Sequence, residues 1–202
     1  SKLNFGENLL SKNTNEKAIT FISENGFREE ISWKNLRLNT AKIVKFFNDI
    51  KLNKGDRVAA YMPNCIETVE AFVATSSIGG IWSSCSPDFG ISGVVERFSQ
   101  IKPKVLFISD QYFYNGKKIN VANRLPKILK LIPSIKNIVI VNYPGKKSIR
   151  SKYKFKRQNL FKWSDLIKKT TNEIKLNQYD FESELAILYS SGTTGKPKCI
   201  CH

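Results

Sequence analysis

The sequence predicts an α/β fold, a mostly parallel sheet flanked by helices. Short apolar segments rich in β-branched residues alternate with longer segments whose apolar residues recur at helical spacing, and this alternation repeats three times between residues 57 and 141. The connections are short, and several of the strand segments are apolar throughout, as strands covered on both faces must be.

The first elements lie outside that repeat. Residues 17–23 read as a strand, Asn25 and Gly26 as a hairpin turn, and residues 27–31 as the returning strand. Ser32 then caps a helix whose inner face is Leu36, Thr40, Ile43, Phe47 and Ile50, ending at Lys54, Gly55 and Asp56. The repeat opens with a strand over residues 57–62, stopped by Pro63. Asn64 with Glu67 forms a capping-box-like start for a helix that runs to about Ile78 and ends at Gly79 and Gly80. A short buried strand over 81–84 follows. The next helix carries the stripe Ile91, Val94, Val95, Phe98 and Ile101, and leads past Pro103 to a strand over 105–108.

In the third unit, Val121, Leu125, Ile128, Leu129 and Ile132 have helical period, and Pro126 fits only a first turn. Residues 137–141 form another buried strand. Residues 142–162 are basic and aperiodic and predict a long surface excursion. A short helix over 163–170 and a strand over 184–189 complete the pattern, the latter delivering the chain into a glycine-containing loop.

At 202 residues the chain holds one substantial domain and part of a second, taking about 150 residues per domain as a guide. No apolar run approaches the roughly 20 residues needed to span a bilayer. The opening SKLNFGENLL lacks the basic and apolar regions of an export signal, so a cytoplasmic protein is expected. Cys65, Cys85, Cys199 and Cys201 are scattered, which predicts reduced thiols. The terminal Cys199–Ile200–Cys201–His202 string has no second ligand pair, so no metal site is expected.

The net charge is +16, and it is uneven. Residues 117–175 contain seventeen Lys or Arg against Asp165 and Glu173, leaving the rest of the chain close to neutral. Such a stretch can steer anions such as ATP and CoA, or bind nucleic acid. Its basic residues come singly and in pairs without an aromatic ladder, so a solvated surface is expected and nucleic acid is not. A basic nucleic-acid-binding module is the alternative from a different class.

The chemistry is concentrated in Ser190, Ser191, Gly192, Thr193, Thr194, Gly195, Lys196, Pro197 and Lys198. Glycines at 192 and 195 allow amides to approach a ligand closely, the hydroxyls add donors, and Lys198 supplies a compact positive charge. This suits a polyphosphate. It is not the GxxxxGK[ST] pattern, because the glycines are three apart and Pro197 blocks an immediate helix.

The nine-residue string resembles the signature of the adenylate-forming superfamily, which includes acyl-CoA synthetases, luciferases and peptide-synthetase adenylation domains. Within it, LNFGENLL, the segment VAAYMPNCIETVEAFVATSSIGGIWSSCSPDFG and the YNGK at residues 114–117 resemble the acetoacetyl-CoA synthetases. The resemblance covers essentially the whole chain. It implies part of the large amino-terminal domain of such an enzyme, an acid-thiol ligase. A carboxylate, with acetoacetate the first expectation and acetate or another short acid the alternative, attacks ATP to give an acyl adenylate, and CoA then displaces AMP. It further implies that Ser190, Ser191, Gly192, Thr193, Thr194, Gly195 and Lys198 hold the ATP phosphates with Mg²⁺, and that Asn115, Gly116 and Lys117 lie near the nucleotide end of CoA. Trp82, Ser83, Ser84 and Cys85 are expected to pack rather than line a pocket. The acyl pocket, a ribose-binding acid and the catalytic lysine of a small carboxyl-terminal domain are expected beyond residue 202. The chain is accordingly expected to be a fragment, inactive alone.

Overall fold

A computed structural model describes residues 1–145, 155–171, 176–190 and 195–202. At the amino terminus, β1 (Lys2–Leu3) pairs antiparallel with β11 (Tyr179–Asp180), and a short helix α1 (Phe5–Leu9) follows. The predicted hairpin is present as β2 (Lys17–Ile22) and β3 (Arg28–Ser32). The following helix α2 (Trp33–Asp49) is capped as expected, the Ser32 hydroxyl accepting from the Asn35 amide at 3.3 Å.

Five strands form the central sheet: β4 (Arg57–Tyr61), β5 (Ile81–Cys85), β6 (Val105–Ser109), β9 (Asn137–Val141) and β10 (Asn159–Lys162). Their order across the sheet is β10–β9–β6–β4–β5, and every pairing is parallel. The helices α3 (Ile66–Ser77), α4 (Ile91–Ile101) and α5 (Leu125–Leu131) connect β4 to β5, β5 to β6 and β6 to β9. The mostly parallel α/β architecture expected from the alternation is therefore the one observed.

Alternate strand residues face opposite sides, as the twofold period of a strand requires. Val58, Ala60, Met62, Trp82, Phe107 and Val139 pack with α2, α3 and the short α6 (Trp163–Leu166). Ala59, Tyr61, Leu106, Ile108, Ile138 and Ile140 pack with α4 and α5. Phe107 is at the centre of the first layer, its ring 6.1 Å from Phe47, 6.5 Å from Trp82 and 6.0 Å from Trp163 between centroids. No helix among the described residues is long and apolar enough to cross a membrane.

Several expectations are corrected. The cap of α3 is Cys65 rather than Asn64, without a side-chain bond, so Glu67 does not close a capping box. Pro126 stands in the first turn of α5 as expected, but Val121 and Ile132 of the predicted stripe lie outside the helix. The excursion predicted over 142–162 contains β10, which extends the parallel sheet; its residues 146–154 lie outside the described ones. Residues 111–120, unassigned from sequence apart from the YNGK segment, form the antiparallel hairpin β7 (Gln111–Tyr114) and β8 (Lys117–Asn120). The helix expected over 163–170 is only Trp163–Leu166.

Candidate nucleotide-binding site

The two ends of the predicted phosphate-binding string stand at the mouth of a β-hairpin. β12 (Ile187–Ser190) pairs antiparallel with β13 (Lys198–Cys201), and Ser190 faces Lys198 at the last rung. Of the predicted phosphate ligands, the structure thus brings Ser190 and Lys198 together, with Gly195 at φ +102°, where a side chain would be strained. Ser191, Gly192, Thr193 and Thr194 lie outside the described residues.

The hairpin is docked on the open edge of the main sheet. The Trp82 amide donates to the Leu185 carbonyl at 3.0 Å, and Trp82 bridges Ala186 in parallel sense. The Ser83 hydroxyl lies 2.9 Å from both the Ile187 carbonyl and the Tyr189 hydroxyl. β12 therefore leaves the sheet on the same side as the carboxyl ends of the parallel strands, which is where open α/β sheets bind ligands. Trp82, Ser83 and Cys85 are buried and Ser84 is exposed, so this stretch supports the platform. Burial pushes the Cys85 thiol up to about 12, and also raises Tyr189.

Helix α4 borders the hairpin. The Arg97 guanidinium carbon sits 4.2 Å from the Phe89 ring centroid and 5.6 Å from that of Tyr189, while an Nη1 proton goes to the Gly93 carbonyl at 2.9 Å. Gln100, one turn on, donates to the Pro197 carbonyl at 3.0 Å, and the Cys199 thiol lies 3.6 Å from its Oε1. The segment after β5 is fixed from its other side by Arg124, which donates to the carbonyls of Pro87 at 2.9 Å and Phe89 at 3.0 Å and to the Tyr61 hydroxyl.

The second predicted subsite is a tight turn. Asn115 at φ 50° and Gly116 at φ 71° join β7 to Lys117 at the start of β8. The Glu24 carboxylate accepts from the Asn115 amide at 2.8 Å and also from the Gly116 amide. These two amides are engaged by an internal anion, and Lys117 remains exposed beside them.

On the opposite face of the sheet, β3, α2, α3 and α6 enclose a polar cleft of about 360 Å³ that includes Glu29, Asn39, Lys42, Glu67 and Glu70. Burial raises both Glu67 and Glu70, the latter to about 8. Asn39 donates to Glu70 Oε1 at 2.8 Å. This cluster is not legible from sequence, because Glu67 and Glu70 sit in a helix whose burial on that side depends on α2 and the hairpin. Arg97 and Gln100 were equally silent, being ordinary helix residues until the chain is folded, as was Arg124 in the 3-10 turn before α5. Arg97 lies within one turn of the apolar stripe of α4, and that proximity was the only available hint.

The chain matches the family model described as AMP-binding enzyme over residues 8–202. It is 38% identical over 207 residues to an acetoacetyl-CoA synthetase of Xenopus tropicalis, covering 100% of this chain and 31% of that protein. An acetoacetyl-coenzyme A synthetase of Rhizobium meliloti (strain 1021) is 38% identical, with 100% and 30% covered. A malonamoyl-CoA synthetase of Penicillium aethiopicum is 35% identical, with 100% and 29% covered. The solved acetoacetyl-CoA synthetase from Streptomyces lividans superposes with a TM-score of 0.88 at 30% identity, over 99% of this chain and 30% of that one. The chain thus spans about a third of the length of the relatives it matches. With a parallel sheet, the β12–β13 hairpin docked on its edge and a match to the family model over residues 8–202, the chain belongs to the AMP-binding enzyme family.

Proposed function

We propose that this chain is part of the AMP-binding domain of an ATP-dependent acid-thiol ligase acting on acetoacetate. The observation that carries the reading is the Ser190–Lys198 hairpin mouth, docked through Trp82 and Ser83 on the carboxyl side of the sheet. Relatives whose names specify acetoacetyl-CoA and malonamoyl-CoA support the choice of acid. Acetoacetate and malonamate are both short acids with a carbonyl two carbons from the carboxylate.

In the first step a carboxylate oxygen forms a bond to the α-phosphorus of ATP, and the bond to the β-phosphate oxygen breaks, releasing pyrophosphate. In the second the CoA sulfur bonds to the acyl carbon, AMP leaves with the former carboxylate oxygen, and the thiol proton is lost to solvent. Ser190, Ser191, Gly192, Thr193, Thr194, Gly195 and Lys198 bind the outer phosphates, neutralising and orienting the leaving pyrophosphate. The loop offers amides, hydroxyls and an ammonium group but no carboxylate. Mg²⁺ therefore fits as part of the nucleotide substrate, carried by its phosphates. Lys117, with the Asn115–Gly116 turn, receives the nucleotide end of CoA, and Glu24 must yield the two amides for them to take part.

The test is acid-dependent exchange of labelled pyrophosphate into ATP by the intact protein, across acetoacetate, malonamate, acetate and butyrate. Exchange is expected to be fastest with acetoacetate. Exchange fastest with acetate would replace the acid, and the absence of exchange with every acid would refute the ligase.

A further inference from the structure

We infer that Arg97 and Gln100 of α4 are positioning residues that anchor both sides of the β12–β13 hairpin to the helix and so set where Ser190 and Lys198 stand for a phosphate ligand. The inference rests on the phosphate-loop reading above.

Each end of the loop is tied to the same helix. At the entrance, Tyr189 immediately precedes Ser190; its hydroxyl accepts from the Ser83 hydroxyl and its ring stacks with the Arg97 guanidinium. Arg97 is itself pinned by the Gly93 carbonyl and the Phe89 ring. Gly93 keeps that slot open, because a Cβ there would stand 3.0 Å from Phe89 Cδ1 and 3.6 Å from Arg97 Nη1. At the exit, Gln100 bonds the Pro197 carbonyl, next to Lys198. Arg97 and Gln100 are three residues apart and so share one face of the helix. That helix is anchored along the adjoining face by the buried Val94, Phe98 and Ile101.

Gln100 is solvent-exposed, so its contacts contribute little to the core. Phosphate recognition by several converging donors is, by contrast, sensitive to displacements of well under an ångström. Loosening either end is therefore expected to weaken binding of the outer phosphates while sparing a ligand that lacks them.

Titration calorimetry of the intact protein with MgATP and with AMP reads this directly, with thermal melts to verify folding. Arg97→Leu is expected to weaken MgATP about tenfold, and the exposed Gln100→Ala about threefold. AMP affinity stays within about twofold in both, less than the loss of one typical hydrogen bond, because AMP lacks the outer phosphates. Arg97→Lys, which keeps charge but not the flat stacking surface, falls between wild type and Arg97→Leu. If folded Arg97→Leu and Gln100→Ala bind MgATP as wild type does, or lose MgATP and AMP equally, the positioning role is overturned. A wild-type protein that binds no MgATP refutes the phosphate-loop reading instead.

Discussion

Replacing Glu70 by Gln tests the electrostatics of the α2–α3 interface. Glu70 exposes 1% of its surface, and burial carries its carboxyl from 4.5 to about 8. The Asn39 bond and Lys42 oppose the shift, and Glu67 and Glu29 add to it. The folded protein thus keeps a proton that the unfolded chain has lost between pH 4.5 and about 8. Stability must fall as pH rises through that window and level off above it. At about 1.4 kcal/mol per pH unit the limit is about 5 kcal/mol. Relaxation and water entering the polar cleft reduce this to roughly 2 to 4 kcal/mol. Gln has the same shape, still accepts from Asn39 and does not titrate. Urea unfolding followed by tryptophan fluorescence from pH 5 to 8.5 should show the variant gaining on wild type steadily, with the gap largest at pH 8.5. Parallel pH profiles for the two proteins would refute the argument.

The remaining predictions concern packing, backbone and the loop. Phe107→Ala removes the ring shared by Phe47, Trp82 and Trp163 and is expected to cost roughly 3 to 5 kcal/mol in denaturant unfolding. Gly79→Ala places a side chain at φ +68° with its Cβ 2.8 Å from the Tyr179 ring. A loss above about 1 kcal/mol is expected from the backbone alone, visible as a lower Tm. Lys198→Ala removes the loop's terminal charge at the rung facing Ser190 and should weaken MgATP about tenfold or more in calorimetry. Unchanged affinity would remove Lys198 from the phosphate ligands.

The parallel α/β core was legible because its signals are local. Val58 to Met62, Val105 to Ile108 and Ile138 to Val141 are apolar on both faces, and the stripe of α4 through Val94, Phe98 and Ile101 is regular. β10 was not legible: Asn159 and Lys162 are exposed, and only the register with Asn137 to Ile140 makes the segment a strand. The hairpin at 111–120 was not legible either, because its two strands are four residues each and Lys117 and Lys118 interrupt any apolar alternation. Within the site, membership of the AMP-binding enzyme family was readable from nine consecutive residues, Ser190 to Lys198. The loop's support was not, because the Ser83–Tyr189 and Gln100–Pro197 contacts join residues about a hundred positions apart. Glu67 misled in the ordinary way of a capping pattern, its carboxyl being drawn into a polar cleft.

The same separation has a consequence for synthesis. The outer edge of β5 is met by a segment about a hundred residues later, the Trp82 amide donating to the Leu185 carbonyl beside the Trp82–Ala186 bridge. At about 5 to 20 residues per second a nascent chain leaves that edge uncovered for roughly 5 to 20 s. During that interval the row of unpaired backbone groups beside Trp82 is a template for any passing strand. Holding it free until β12 emerges from the ribosome is a task for a chaperone or for speed of translation.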